Sequence, residues 1–119
     1  PLPLIPGEIV EILEKKLGVD SRYFRFIGEP DSKLLKVGIC TGGGADFIQD
    51  AFEEGCDLFI TGDVKYHFAQ AAKAMGIAVL DAGHFATEKI FAENMADKIN
   101  QKNCIEVIAS EIDINPYLW

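Results

Sequence analysis

The stretch DLFITGDVKYHFAQAAKAMGIAVLD, which runs from Asp57 to Asp81, decides the fold because it places a helix between two apolar strands. The apolar runs Asp57 to Thr61 and Ile77 to Asp81 have the length and composition of buried strands. Between them, apolar side chains recur at the helical spacing i, i+3, i+4, i+7, and Gly76 ends the pattern. Those side chains belong to Phe68, Ala71, Ala72 and Met75. This order predicts a parallel βαβ unit with a right-handed crossover.

The same alternation of strand and helix extends in both directions along the chain. Apolar periodicity after Pro6, with a stop at Gly18, predicts an opening helix. The remaining predicted elements are strands at Tyr23 to Ile27, Leu34 to Cys40 and Ile105 to Ala109, a helix opened by Gly42 to Gly44, and a long helix from His84 to about Lys102. We therefore predict an α/β fold with three layers, in which a mainly parallel sheet has helices on both faces.

Composition restricts the class of protein. The chain has 119 residues with 49% hydrophobic content, which predicts one soluble α/β domain over residues 1–119. No apolar run approaches the length of a membrane span, so we expect no membrane partner. The net charge is −8 and there is no basic stripe, which argues against nucleic-acid binding.

The cysteines indicate a reducing compartment. Cys40, Cys56 and Cys104 are odd in number, lack a C-x-x-C spacing, and are expected to be buried free thiols rather than disulfides or catalytic thiols. We therefore expect a cytoplasmic protein. The aperiodic tail from Glu111 to Trp119 is expected to pack on a neighbouring surface.

His84 and Glu88 are the first candidate pair of metal ligands. They are four residues apart, so a helix places them on one face, and the same face continues through Phe91 and Met95. An imidazole beside a carboxylate suits zinc, manganese or iron better than calcium. The alternative is a carboxylate that interacts with a helix dipole beside a hydrogen-bonded histidine.

A second group of polar residues follows the strand that ends at Thr61. Asp63 can coordinate a cation, orient a ligating histidine, or cap the next helix. His67 can be a ligand, an acid/base group or a surface histidine. Asp81 either orients His84 as well or only bonds to loop amides. Because parallel strands deliver these residues to one sheet edge, we expect Asp63, His67, His84 and Glu88 to face one cleft.

The run Thr41 to Gly44 follows a strand and is rich in glycine. Its amides can bind an anion, or its glycines can serve only a tight turn. Neither a P-loop nor a dinucleotide-binding fingerprint is present, since Phe47 occupies the last glycine position of G-x-G-x-x-G.

Three motifs together resemble one known family. They are Val37 to Ile48 (VGICTGGGADFI), Ile60 to His67 (ITGDVKYH), and Asp81 to His84 (DAGH) with Glu88. The order and spacing of these motifs resemble the C-terminal half of the Ngg-interacting factor three-like family, also called the dinuclear metal centre, hexameric protein family. Because the chain begins with Pro1, we expect it to be the C-terminal part of a longer chain.

The resemblance implies a site with two divalent ions, to which this half contributes His84 and Glu88 as ligands. It implies that Asp63 and His67 lie near the ions, and that the histidine pair of the N-terminal half has no counterpart here. The site is therefore expected to be absent or incomplete in this fragment. The resemblance also implies a homohexamer, and many members carry a GTP cyclohydrolase type-two-like label that these residues do not by themselves imply.

These observations favour metal-dependent hydrolysis of a nucleotide or phosphate compound, with His67 as an acid/base group. Two other classes of function also remain open. The first is a regulatory or adaptor protein with structural metals. The second is a flavodoxin-like domain that binds a small anion at the turn from Gly42 to Gly44. A metal with a solvent-accessible position favours the enzyme, and a closed coordination shell favours the structural role.

Overall fold

The computed structural model describes residues 2–102 and 104–117 and contains a four-stranded sheet with the strand order β1-β4-β3-β2. Strands β2, β3 and β4 are parallel, and β1 pairs antiparallel with β4 at the edge. The strands are β1 (Arg25–Ile27), β2 (Val37–Ile39), β3 (Leu58–Thr61) and β4 (Ala78–Asp81). The helices are α1 (Pro6–Leu17), α2 (Ile48–Glu53), α3 (Tyr66–Met75), α4 (His84–Glu88) and α5 (Phe91–Asn100).

Helices cover both faces of the sheet, which confirms the predicted α/β class. Every residue of the central strands β3 and β4 is buried, and successive side chains of a strand point to opposite faces. Phe59 and Val79 pack with side chains of α2 and α3. Leu58, Ile60 and Leu80 pack on the other face, against apolar side chains of α1.

The first and third helices begin and end where local sequence signals place them. Pro6 is the first residue of α1, and Gly18 follows its end with a φ of 61°. Gly76 follows α3 with a φ of 84°. These left-handed conformations suit glycine because it has no Cβ, so both helix ends were predictable from sequence.

The long helix predicted from His84 to Lys102 is wrong in its middle, because α4 and α5 are separated by Lys89 and Ile90. The Thr87 hydroxyl lies 3.0 Å from the carbonyl oxygens of both Gly83 and His84. Such bonds from a threonine to the preceding turn bend helices. Glu88 is therefore the last residue of α4, and the favourable dipole interaction expected for a first-turn carboxylate does not apply to it.

The strand predicted at Ile105 to Ala109 is not formed. The side-chain NH₂ of Asn100 donates to the Val107 carbonyl, and the side-chain oxygen of Asn100 accepts the Val107 amide, each at 2.8 Å. Ile105 and Ile108 are exposed, at 64% and 83%. The apolar pattern alone therefore misled the prediction, because a strand also needs a neighbouring edge and a face to cover.

Two smaller expectations also need correction. Cys40 and Cys56 are half-buried and Cys104 is exposed, so none of the three free thiols is fully buried and that prediction is wrong. In the tail, Asn115 and Tyr117 line a groove beside His84, whereas Trp119 lies outside the described residues. Within the described ranges, no helix combines the length and the hydropathy that crossing a bilayer requires.

Candidate functional site

The loops that follow β2, β3 and β4 meet at one edge of the sheet. The Gly62 amide donates to the carbonyl of Gly42 at 2.7 Å, and the Ala82 amide donates to the carbonyl of Thr61 at 2.8 Å. These bonds continue the contacts of the parallel strands into the loops. The meeting of the three motifs at one edge, predicted from strand order, is confirmed.

His84 lies between two carboxylates at this edge. Its Nδ1 is 2.6 Å from Oδ2 of Asp63, and its Nε2 is 3.3 Å from Oε2 of Glu88. The side chains of His84, Asp63 and Glu88 are 47%, 62% and 51% exposed, so an ion or a small molecule can reach all three. We call these three side chains the Asp63–His84–Glu88 chain.

Both carboxylates raise the pKa of the imidazole, and Asp63 has the larger effect. The pKa of His84 is raised above its ordinary value of 6.5, chiefly by the side-chain hydrogen bond with Asp63, while desolvation opposes the change. In the neutral ring, a proton on Nδ1 that is donated to Asp63 leaves the lone pair of Nε2 directed to the Glu88 side. We assign this tautomer from the shorter of the two contacts.

Asp63 reaches His84 from an unusual backbone conformation. Its φ is 56°, the left-handed region that aspartate adopts more readily than most residues. The residue directly before α3 is Lys65, whose side chain makes no capping hydrogen bond. Asp63 therefore orients His84, which was one of the three roles open to it from sequence.

The glycine-rich turn packs directly against the Asp63–His84–Glu88 chain. A Cβ atom at Gly42 would lie 2.2 Å from Oε1 of Glu88 and 3.2 Å from Nε2 of His84. The Gly42 amide donates to the hydroxyl of Thr87, and the Gly44 amide donates to the hydroxyl of Thr61, both at 2.9 Å. Because these two amides already have partners, they cannot also bind an anion.

Asp81 does not contact His84, so the expectation that it orients that ring is wrong. Its side chain is buried and accepts hydrogen bonds from the amides of Val64 and Gly83 at 3.0 and 3.1 Å. It also pairs with the guanidinium of Arg25. The alternative in which Asp81 bonds to loop amides is the one that the structure shows.

His67 lies on the first turn of α3 and is exposed. Its ring centroid is 4.4 Å from that of Phe68. Within residues 2–102 and 104–117, no hydrogen bond or ion pair joins it to Asp63, His84 or Glu88. A catalytic role for His67 stays a prediction.

The positions of His84 and Glu88 suit a shared metal ion. Two ligand atoms at about 2.0–2.1 Å from a tetrahedral ion lie about 3.3–3.4 Å apart, which matches the 3.3 Å between Nε2 and Oε2. The Asp63 carboxylate is hydrogen-bonded to the other ring nitrogen, Nδ1, as is common for histidines that bind a metal. The described part of the chain holds no group of three or more candidate ligand side chains placed to hold an ion.

A groove of about 430 Å³ opens beside His84, and the sequence had not indicated it. Its walls combine aromatic rings with polar groups from Arg25 and Asp63, the rings being those of Tyr23, Phe24, Phe85 and Tyr117. A larger groove of about 890 Å³ has Asp57 and Ala78 in its walls, at the starts of β3 and β4, and none of the Asp63–His84–Glu88 chain. The smaller groove is therefore the one associated with the candidate site.

A family model described as Duf34/NIF3 (NGG1p interacting factor 3) matches residues 3–116. The chain belongs to the Duf34/NIF3 family. This membership confirms the resemblance drawn from the three motifs. A relative from Clostridium perfringens, named GTP cyclohydrolase 1 type 2 homolog, is 35% identical over 112 residues, which cover 92% of this chain and 42% of the relative.

Solved structures of similar proteins support the Duf34/NIF3 fold. Staphylococcus aureus protein SA1388 superimposes with a TM-score of 0.85 at 28% identity, and the match covers 98% of this chain and 39% of that protein. The protein ybgI, described as of unknown function, gives a TM-score of 0.78 at 30% identity and covers 98% of this chain and 46% of its own. The chain spans less than half the length of each of these proteins.

Proposed function

We propose that this chain supplies His84 and Glu88 as ligands to a divalent-metal centre of a larger Duf34/NIF3 protein, and that the centre serves hydrolysis of a small nucleotide or phosphate compound. One observation carries the proposal. The His84 ring has its Nδ1 on Asp63 and its Nε2 at 3.3 Å from a Glu88 oxygen, at an exposed sheet edge. This is the arrangement of a histidine that is oriented to bind a metal.

The donor types restrict the ion. An imidazole nitrogen with a carboxylate oxygen suits zinc, manganese or iron. The ion would compete with a proton for Nε2 of His84, since a metal ligand must be deprotonated. Asp63 supports the binding form because it holds the proton of Nδ1 and turns Nε2 to the Glu88 side.

Two ligands are too few for a tight site. Protein zinc sites use about three or four protein ligands, and this chain offers His84 and Glu88. The relatives that it matches are more than twice as long. We propose that ligands from the rest of the longer protein complete a centre with two ions, in a cytoplasmic homohexamer.

This chain also contributes groups around the ligands. A bound divalent ion would supply a coordinated water of lowered pKa and polarise the scissile group. The groove beside His84 has the volume for a small molecule, with aromatic walls and the Arg25 guanidinium. His67 is the proposed acid/base group, and it is exposed on the first turn of α3, four residues after Asp63.

The structure gives less support than the sequence did to the alternative of a small-anion-binding domain. The amides of Gly42 and Gly44 donate hydrogen bonds to the hydroxyls of Thr87 and Thr61 rather than pointing to an anion. A regulatory protein with structural metals shares the ligands proposed here. It differs from a hydrolase in having a closed coordination shell and no metal-dependent turnover. Turnover is therefore the measurement that separates the two classes.

The test uses the full-length protein that contains this chain. Metal content is measured by mass spectrometry after purification, for the wild type and for H84A, E88A and the control E93A, which removes an exposed carboxylate of α5. We expect metal loss in H84A and E88A and none in E93A. Metal content unchanged in both ligand variants would rule out the proposed ligand roles.

A hydrolysis screen over nucleotides and phosphoesters then tests the activity. We expect turnover that chelation removes and added zinc or manganese restores. The variant H67A should keep its metal and lose turnover, since His67 is proposed as an acid/base group rather than a ligand. Full metal content without turnover on any compound of these classes would favour the structural role.

A further inference from the structure

The Asp81 side chain is buried and charged, and the proposed chemistry does not use it. Its residue is 4% exposed at the end of β4. Oδ2 accepts the Val64 amide at 3.0 Å and pairs with the Arg25 guanidinium, and Oδ1 accepts the Gly83 amide at 3.1 Å. A buried carboxylate is tolerated when it is paired and hydrogen-bonded, and this one has both kinds of partner.

The two amides belong to the loops that carry the candidate site. Val64 follows Asp63 directly, and Gly83 directly precedes His84. The Asp81 carboxylate therefore connects the loop after β3 to the loop after β4 through these two hydrogen bonds. Arg25 strengthens the connection, because its guanidinium also donates to the Val64 carbonyl at 3.1 Å.

The loop after β3 needs such a support because Asp63 is in a sparsely populated conformation, with a φ of 56°. For a residue other than glycine, such a conformation persists where the surrounding structure holds it. The 2.6 Å contact between the Asp63 carboxylate and the His84 ring also tolerates little relative movement of the two loops.

We propose that Asp81 is the positioning residue of the site: its carboxylate holds the loops of Asp63 and His84 in the register that lets Asp63 orient the imidazole. Asp81 acts through Val64 and Gly83 and contacts neither proposed ligand. The consequence for metal binding rests on the proposed function, whereas the consequence for the imidazole does not. The two can therefore be tested separately.

The substitution Asp81→Asn tests the proposal with little change of shape. It replaces one of the two accepting oxygens by an NH₂ group, which donates hydrogen bonds and cannot accept one. The side chain therefore can no longer accept the Val64 and Gly83 amides through two separate oxygens. The matched control is Asp57→Asn. The Asp57 carboxylate also accepts two backbone amides, those of Leu35 and Lys36 at 2.8 and 2.9 Å, but it precedes β3 at the other end of the sheet.

The first readout is nitrogen NMR of the His84 imidazole in this chain without metal. We expect the wild type and D57N to show a proton on Nδ1 in a strong hydrogen bond, and D81N to show the mixed tautomers of a free ring. An unchanged imidazole spectrum in a folded D81N chain would overturn the proposal.

Should D81N fail to fold, Arg25→Ala provides the test. This variant removes both the ion pair that holds Oδ2 of Asp81 and the contact to the Val64 carbonyl, so it loosens the carboxylate that accepts the Val64 amide. The Arg25 side chain is 66% exposed, so its removal opens no buried cavity. We expect a partial weakening of the Nδ1 hydrogen bond. An imidazole spectrum identical to that of the wild type would again contradict the positioning role.

The second readout is zinc affinity of the full-length protein. We expect D81N to bind zinc about 10–100-fold more weakly than the wild type, as is usual when the support of a ligating histidine is lost, and D57N to bind normally. Equal affinities of D81N and D57N would overturn the link to metal binding. If H84A and E88A also left metal content unchanged, the proposed function would fail while the imidazole spectrum would still decide the role of Asp81.

Discussion

Gly42→Ala tests Glu88 as a ligand without removing its carboxylate. The new Cβ would lie 2.2 Å from Oε1 and 2.9 Å from Cδ of Glu88, distances at which one group has to move. The Glu88 carboxylate is the far end of a flexible side chain, so it will move rather than the backbone. The substitution should therefore displace Glu88 from its position beside Nε2 of His84.

The cost in stability comes mainly from the backbone. Gly42 has a φ of 70°, where a residue with a Cβ is disfavoured by roughly 1–2 kcal/mol. Reduced freedom of the unfolded chain returns about 0.4–1 kcal/mol. A net loss of about 1 kcal/mol lowers the Tm of a domain of this size by about 3–6 °C.

Gly55→Ala is the matched control. Gly55 has a φ of 71°, and a Cβ atom there would meet nothing within 4 Å. The two variants should therefore lose similar stability in thermal unfolding followed by circular dichroism. Only G42A should weaken zinc binding by the full-length protein, by about tenfold or more in titration calorimetry. Equal zinc affinities of G42A and G55A would refute the ligand role of Glu88.

Three further outcomes are expected. Gly62→Ala should destabilise the chain by about 1–3 kcal/mol or more, because its Cβ would lie 2.6 Å from the backbone nitrogen of His84. In the control Gly7→Ala the new Cβ meets nothing within 4 Å, so that variant should not be destabilised. Equal urea midpoints of the two variants would contradict this expectation. The raised pKa of His84 should fall in D63N, as measured by proton NMR. A raised folded-state pKa means that the protonated His84 ring stabilises the fold. This stabilisation is complete below the ordinary pKa of 6.5 and is lost as pH rises through the folded-state pKa. A free energy of unfolding with the same pH dependence in wild type and D63N would exclude the stabilisation by the protonated ring. This chain alone should bind zinc and manganese weakly, since it offers two ligands; calorimetric affinity equal to that of the full-length protein would show that it is self-sufficient.

Local sequence patterns predicted the elements that depend on local physics. The apolar spacing of α1 and α3 and the glycines after them placed both helices, because amphipathic periodicity and left-handed helix ends are properties of adjacent residues. The buried runs of β3 and β4 read as strands for the same reason, and their succession predicted the loop edge where the site lies. His84 and Glu88 could be proposed as neighbours from their spacing of four residues.

Tertiary contacts decided the rest. The strand predicted at Ile105 to Ala109 was not formed, because an apolar pattern cannot specify a partner edge, and Asn100 took the polar groups of Val107 instead. The interruption after Glu88 followed from the bonds of Thr87, whose hydroxyl also accepts the distant Gly42 amide. Neither arrangement can be read from a hydrophobic pattern.

The order of strands and loops along the chain predicts which side chains reach this edge of the sheet, whereas contacts between distant residues fix which of them meet. From sequence, Asp63 and Asp81 were both candidates to orient His84, since Asp63 closely follows one strand and Asp81 ends the next. The left-handed backbone at Asp63 brings its carboxylate to Nδ1, while Asp81 is turned inward to Arg25 and two loop amides. That choice depends on backbone angles and on the partners Val64 and Arg25, which lie 17 and 56 residues from Asp81 in the chain, so local spacing could not predict it.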